Sequence, residues 1–266
     1  VTKNKAGTSD TVMAAVLVIG DEILSGRTKD KNIGYIAEYL TAIGIRVTEV
    51  RVVPDVEAEI VAAVNALRER YDYVFTTGGI GPTHDDITAD AVATAFGVPL
   101  DVDPRAVAIM EKRYGPGEFT PARRRMARIP EAAELVKNAV SGAPGFMLEN
   151  VIVMAGIPRI MQVMLDDVAP RLRTGAKMLS RTVRVERPEG IVAAGLSRLQ
   201  DAYPDVAMGS YPFFEKDKLG TQVVLRSTDA SRLEDALKGF WAVLEEEGFA
   251  EYAREIVADR KAQDET

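Results

Sequence analysis

Thr76-Thr77-Gly78-Gly79-Ile80-Gly81-Pro82-Thr83-His84-Asp85-Asp86-Ile87-Thr88 follows directly on the apolar run Tyr73-Val74-Phe75. The stretch therefore reads as a strand, a loop stripped of side chains, and a helix that begins beside two carboxylates. Glycine lets the backbone turn through positive φ and lets a ligand approach the main chain. The unpaired N–H groups at the start of a helix favour an anion. A phosphate suits such a loop, but Asp85 and Asp86 oppose it: at an effective dielectric near 20, a carboxylate about 4 Å from a phosphate is repelled by roughly 4 kcal/mol. A cation is needed between them, and a divalent metal with oxygen ligands is the simplest candidate.

Working outward, residues 13–19 (MAAVLVI) are apolar without alternation, as in a strand buried on both faces of a parallel sheet. They end in Gly20-Asp21-Glu22, and a loop with Ser25-Gly26 as its turn follows over residues 23–30. Helical spacing predicts a helix over 32–43, a strand over 46–53, a helix after Pro54-Asp55, and a strand over 73–77. Further helices are predicted over 87–96, 104–114 and 121–126, then short strands over 133–136, 145–148 and 151–154, and a helix from Pro158 to about residue 172. Short links between alternating strands and helices imply right-handed crossovers and a parallel sheet.

From residue 179 the pattern changes to a half-exposed strand, a helix, two strands and a long amphipathic helix carrying Trp241, a small βαββα unit. The expected division is a leader at 1–11, a large domain at 12–174, a linker at Thr174-Gly175-Ala176, a small α/β domain at 178–250 and a charged tail at 251–266. The leader is read as disordered.

Composition narrows the function classes. The 266 residues are 47% apolar and 27% charged, an ordinary globular balance. A net charge of −7 disfavours a nucleic-acid partner held through its phosphates. The absence of cysteine excludes a disulfide framework, a thiol nucleophile and a cysteine zinc site, and fits a cytoplasmic location. No apolar run reaches the roughly 18 residues of a membrane span.

In an open parallel sheet, ligands bind beyond the carboxyl ends of the strands. Three buried strands end in glycine: at Gly20, at Thr77-Gly78-Gly79-Ile80-Gly81, and at Ala155-Gly156-Ile157-Pro158. On one rim they would build a glycine-lined pocket edged by Asp21, Glu22, Asp85 and Asp86. Each signal has a structural alternative. Asp85 and Asp86 serve equally as helix N-terminal charges, Asp21 and Glu22 as loop caps, and Asn32 as a helix cap or a ligand contact. His84 reads as a solvated loop residue. The run Arg123-Arg124-Arg125 reads as a solvated helix face from which one arginine could reach a phosphate. The loop lacks the last glycine of a dinucleotide fingerprint, and neither a P-loop nor a Gly-x-Ser-x-Gly elbow occurs.

These motifs, with Asn138, Gly142-Ala143-Pro144-Gly145-Phe146 and Gly156-Ile157-Pro158, resemble the molybdopterin-binding domain of the MogA/MoaB type. The resemblance spans about residues 12–172 and is nearest the version in CinA proteins and in the domain fused to eukaryotic FAD synthase. Residues 178–250, with Gly209-Ser210-Tyr211-Pro212, resemble the small domain that follows in CinA proteins. It does not extend to their amidohydrolase domain, whose activity is not expected here.

The resemblance implies an α/β fold: a three-layer α/β/α domain with a mostly parallel sheet, followed by a small α+β domain. It implies a phosphorylated pterin or ADP-containing ligand, a nucleotide pyrophosphatase acting on the ADP-ribose or FAD class, a divalent metal (Mg, Mn or Co), potassium as a further ion, and self-association into a homo-oligomer. Alternatives are a non-catalytic binding module and a molybdopterin adenylyltransferase of molybdenum cofactor biosynthesis. By position, Asp85 and Asp86 become metal and phosphate-end carboxylates, with Asp86, Asp21 and Glu22 as the catalytic acids. Gly20, Thr77, Gly78, Gly79, Gly81, Asn32, Gly156 and Pro158 become ligand contacts. The family's Pro-Gly-x-Pro-x-Glu segment departs here: Ile160 stands where the acid is usual, beside Arg159.

Overall fold

Alternation along the buried strands builds the first layers. The computed structural model describes residues 11–115, 117–215 and 218–256. Strand β1 (Val12–Ile19) is buried at every position but Met13. Its odd-numbered Ala15, Leu17 and Ile19 enter one core and its even-numbered Val12, Ala14, Val16 and Val18 enter another. After β1 the chain runs α1 (Asp21–Leu24), α2 (Asn32–Ala42), β2 (Ile45–Val53), α3 (Glu57–Arg70) and β3 (Tyr73–Thr77). It continues through α4 (Thr88–Phe96), β4 (Leu100–Val102), α5 (Pro104–Arg113), α6 (Pro121–Arg124), β5 (Arg128–Pro130), β6 (Glu134–Val136), β7 (Gly145–Leu148), β8 (Val151–Met154) and α7 (Pro158–Val168).

The main sheet has the order β2-β1-β3-β8-β7-β6, parallel through β8 and antiparallel beyond it. Ile60, Val64 and Leu67 of α3, Ala91 and Val92 of α4 and Met110 of α5 pack on one face. Ile36 and Leu40 of α2, with Met161, Met164 and Leu165 of α7, pack on the other. This is the three-layer α/β/α arrangement with a mostly parallel sheet. Burying Phe75 completely at the sheet centre is worth about 2 to 3 kcal/mol by itself.

In this first unit two details differ from the sequence expectation. Residues 21–24, read partly as loop, form the single turn α1. Strands β4 and β5 pair as a separate two-stranded ribbon, which three residues apiece, one strand ending in Pro130, do not announce.

The chain divides into two units between Ala176 and Lys177. The second contains β9 (Leu179–Val185), α8 (Glu189–Ala202), β10 (Ala207–Glu215), β11 (Lys218–Ser227), α9 (Ala230–Glu246) and β12 (Ala253–Ile256). Its antiparallel sheet has the order β10-β11-β9-β12, the βαββαβ plan of a ferredoxin-like module. Val183, Val223, Leu225, Leu237, Phe240 and Leu244 form its core. Strand β12 corrects the reading of 251–266 as a tail: residues 253–256 pair with β9. The charged Arg254 and Glu255 hide it from a hydrophobicity pattern, yet an edge strand accepts charge. The remaining tail, 257–266, and all of the expected leader but Thr11 lie outside the described residues. No helix among the described residues is long and apolar enough to cross a membrane.

Candidate functional site

The three glycine-ended strands reach one rim. The Gly20 N–H donates to the Val53 carbonyl at 3.1 Å, and that of Gly78 to Met154 at 3.2 Å. A Cβ on Gly156 would stand 3.3 Å from the Gly78 Cα, so β3 and β8 end backbone against backbone. Gly78 has φ +104° and its Cβ would lie 2.1 Å from the Ile19 carbonyl oxygen; Gly79 has φ +67° and its Cβ would meet the Thr88 hydroxyl. Only glycine fits either position. Thr88, buried at the start of α4, donates its hydroxyl to the Gly78 carbonyl at 2.9 Å and its N–H to that of Gly79 at 3.0 Å. The N–H groups of Gly79, Ile80 and Gly81 have no partner among the described residues. Successive free N–H groups in such a turn form an anion-binding concavity.

Above this floor lies a cleft of about 600 Å³. Gly78, Gly79, Gly81, Gly156 and Pro158 line it beside the carboxylates of Glu22 and Asp86 and the guanidinium of Arg123. Tyr114, Met126, Ile157, Ile160 and Met164 give it an apolar wall. An adjoining recess of about 320 Å³ shares Glu22, Thr28, Gly78, Gly156 and Pro158 and adds Lys29, Lys31, Asn32 and Thr77. Among the described residues, the Asn32 Oδ1 and Thr77 hydroxyl atoms beneath that recess are buried without a partner. Each such atom costs roughly 1 to 3 kcal/mol when unsatisfied.

Asn32 is not the cap of α2. The carboxylate of Asp30 accepts the N–H groups of Asn32 and Ile33 at 3.0 and 2.8 Å, which frees the Asn32 amide to donate to the Gly156 carbonyl at 2.8 Å. Asn138, which also lines the cleft, braces its own turn: it accepts from the N–H groups of Val140 and Ser141 at 3.0 Å each and donates to the Ala143 carbonyl at 2.9 Å.

The four carboxylates expected at the rim separate into two sets. Asp86 is half-buried, and its Oδ2 accepts from the Thr83 N–H at 2.8 Å and the Thr83 hydroxyl at 2.6 Å. Asp85, its neighbour, is exposed and lines neither recess; a hydrogen bond from the Thr83 side chain is the main cause holding its carboxyl pKa below the usual range. Likewise Glu22 lines the cleft, its carboxylate lying 2.6 Å from where a Gly20 Cβ would stand, while Asp21 is exposed. The Asp21 N–H donates to Asp55 Oδ2 at 3.0 Å. Gly20 is buried beneath the rim and lines neither recess, and His84 is exposed.

Asp55 was not singled out in the sequence. Burial pushes its carboxyl pKa up, the charges of Asp21, Glu22 and Asp85 push it further, and the Asp21 N–H opposes the shift. Tyr114 is a further cleft residue that the sequence does not single out, and Arg123 is the member of the arginine run that lines the cleft. The run marks the helix face without saying which arginine turns to the cleft, and nothing local marks Tyr114.

Among the described residues, no three His, Cys, Asp or Glu side chains are placed to hold a metal ion by themselves. Of the expected pair Asp85 and Asp86, only Asp86 lines the cleft. Glu22 and Asp86 share the cleft, and two carboxylates completed by phosphate oxygens make a donor set that a hard cation such as Mg²⁺ accepts.

Residues 15–174 match the family model described as "Probable molybdopterin binding domain", and residues 177–253 match "FAD synthase, middle domain". A protein of Archaeoglobus fulgidus is 33% identical over 230 residues, covering 86% of this chain and 96% of that protein. A CinA-like protein of Desulfosudis oleivorans is 36% identical over 211 residues, 74% of this chain but 51% of its own length. The crystal structure of the protein CinA, of unknown function, from Thermoplasma acidophilum superposes with a TM-score of 0.58 at 36% identity, covering 61% of this chain and 99% of that one.

Proposed function

The chain belongs to the molybdopterin-binding-domain family as a CinA-like member, and on that premise we propose that its cleft binds a phosphorylated pterin or ADP-type nucleotide and hydrolyses the diphosphate of such a nucleotide with a divalent metal. The observation that carries the reading is the row of free N–H groups at Gly79, Ile80 and Gly81 in the same cleft as Glu22 and Asp86. A volume of about 600 Å³ suits a ligand of nucleotide size, and the apolar wall at Tyr114, Met126 and Ile157 suits its ring.

In this reading the N–H groups take the phosphate oxygens and stabilise the charge that develops on them. Asp86 and Glu22 would hold the cation, which when bound supplies neutralisation of the diphosphate and polarisation of the phosphorus. Glu22, rather than the outward Asp21, accepts the proton of the attacking water. The P–O–P bridge breaks, and one phosphate leaves on each fragment.

A second reading, binding without turnover, is favoured by Ile160, which lines the cleft with a branched alkyl group where the family carries an acid. The deciding experiment offers ADP-ribose and FAD with Mg²⁺, Mn²⁺ or Co²⁺. Nucleoside monophosphate should be released, and both EDTA and Asp86→Ala should stop it. Turnover indifferent to both overturns the hydrolytic reading. Tight binding with no product over hours supports the second.

A further inference from the structure

Arg123 lines the same cleft as the glycine floor and has no anionic partner among the described residues. It occupies the last turn of α6, where its N–H is held by the Thr120 hydroxyl at 3.3 Å. Its guanidinium lies over the Tyr114 ring, 4.4 Å from the centroid, and Nη1 donates to the Glu118 carbonyl at 2.6 Å. Tyr114 is itself stacked on Phe119, with centroids 6.2 Å apart and planes within 11°. The side chain is thus fixed from two directions and half-buried, yet no carboxylate pairs with it among the described residues.

The other cations near the floor are placed differently. Arg128 is spent on Asp90 through two bonds of 2.7 Å. Arg125 lines a void of only about 20 Å³ beneath the loop. Lys29 and Lys31 are exposed at the side recess. A guanidinium stays charged at every accessible pH and presents several N–H donors in one plane, a geometry matched to phosphate.

From this placement we propose that Arg123 is the phosphate-holding cation of the cleft, so that a phosphorylated ligand binds without a metal ion. The inference rests on the reading of the cleft as a phosphate-ligand site. Arg123 answers the repulsion between a phosphate and Asp86 with a charge the chain carries itself. Any metal requirement then belongs to turnover and not to binding.

Calorimetry on the full chain in EDTA tests it, with ADP as probe and adenosine as the phosphate-free control. ADP should bind. Arg123→Ala should weaken ADP roughly tenfold to a hundredfold, the loss of one or two charged hydrogen bonds, and leave adenosine unchanged. Arg123→Lys should fall between, and Arg124→Ala, at the exposed neighbour, should match the parent. Melting curves establish that the variants fold. ADP binding by Arg123→Ala equal to the parent's overturns the proposal, as does an equal loss for adenosine, which would mark a wall residue. No binding of ADP or a phosphorylated pterin by the parent, with or without Mg²⁺, overturns instead the reading of the cleft on which it rests.

Discussion

The Asn32 amide donates to the Gly156 carbonyl at 2.8 Å, joining positions 124 residues apart across the rim of the sheet. This one bond ties the first turn of α2 to the loop after β8. Asn32→Ala should cost about 1 kcal/mol, because an ordinary buried hydrogen bond is lost together with an unsatisfied Oδ1. Urea unfolding should show a lower midpoint with an unchanged slope.

Gly78 and Gly97 both have positive φ but differ in surroundings. A Cβ at Gly97 meets nothing within 4 Å, whereas at Gly78 it meets the Ile19 carbonyl at 2.1 Å. Gly97→Ala should cost about 1 kcal/mol, the left-handed penalty alone. Gly78→Ala should cost at least about 3 kcal/mol, since backbone must move as well. Thermal melts of the two variants compare these directly.

The adjacent carboxylates at 85 and 86 should respond unequally. Asp86→Ala removes both bonds to Thr83 and a cleft carboxylate, and should abolish metal-dependent release of nucleoside monophosphate. Asp85→Ala changes an exposed group, and should leave turnover within about twofold and stability within about 0.5 kcal/mol. Equal losses would contradict the assignment of roles.

Asp55 gives a pH signature. Its carboxyl pKa is raised by burial first and by Asp21, Glu22 and Asp85 next, so the native state holds this proton to higher pH than the unfolded chain does. Where only the unfolded chain has ionised, stability falls as pH rises, and the loss is complete above the folded-state pKa. Asp55→Asn, which keeps an oxygen for the Asp21 N–H, should therefore melt above the parent at pH 7. The difference should vanish below the ordinary carboxylate range, about pH 4.

Much of the first unit was legible because period and burial agree there. Uninterrupted apolar runs at β1 and β8 mark strands covered on both faces, and glycine after each marks the rim. Contacts made across the sequence were not legible. Neighbouring acids look alike in a string, yet Asp86 lines the cleft and Asp85 does not. Asp55 reads as a helix-start residue, and its tie to Asp21 depends on β1 and β2 lying side by side. Arg123 enters the cleft from a short helix stacked against Tyr114, a relationship no local pattern carries. Strand β12 was hidden by its charges for the same reason: its identity comes from β9.

Thr88 fastens the Gly78 and Gly79 carbonyls to the start of α4 before any ligand arrives. The entropy of ordering that turn is therefore spent during folding, and association need not supply it again. A lid that had to close would make the observed association rate level off as ligand concentration rises. A loop already in its binding shape leaves the rate proportional to concentration, limited by encounter alone, and stopped-flow traces would distinguish the two.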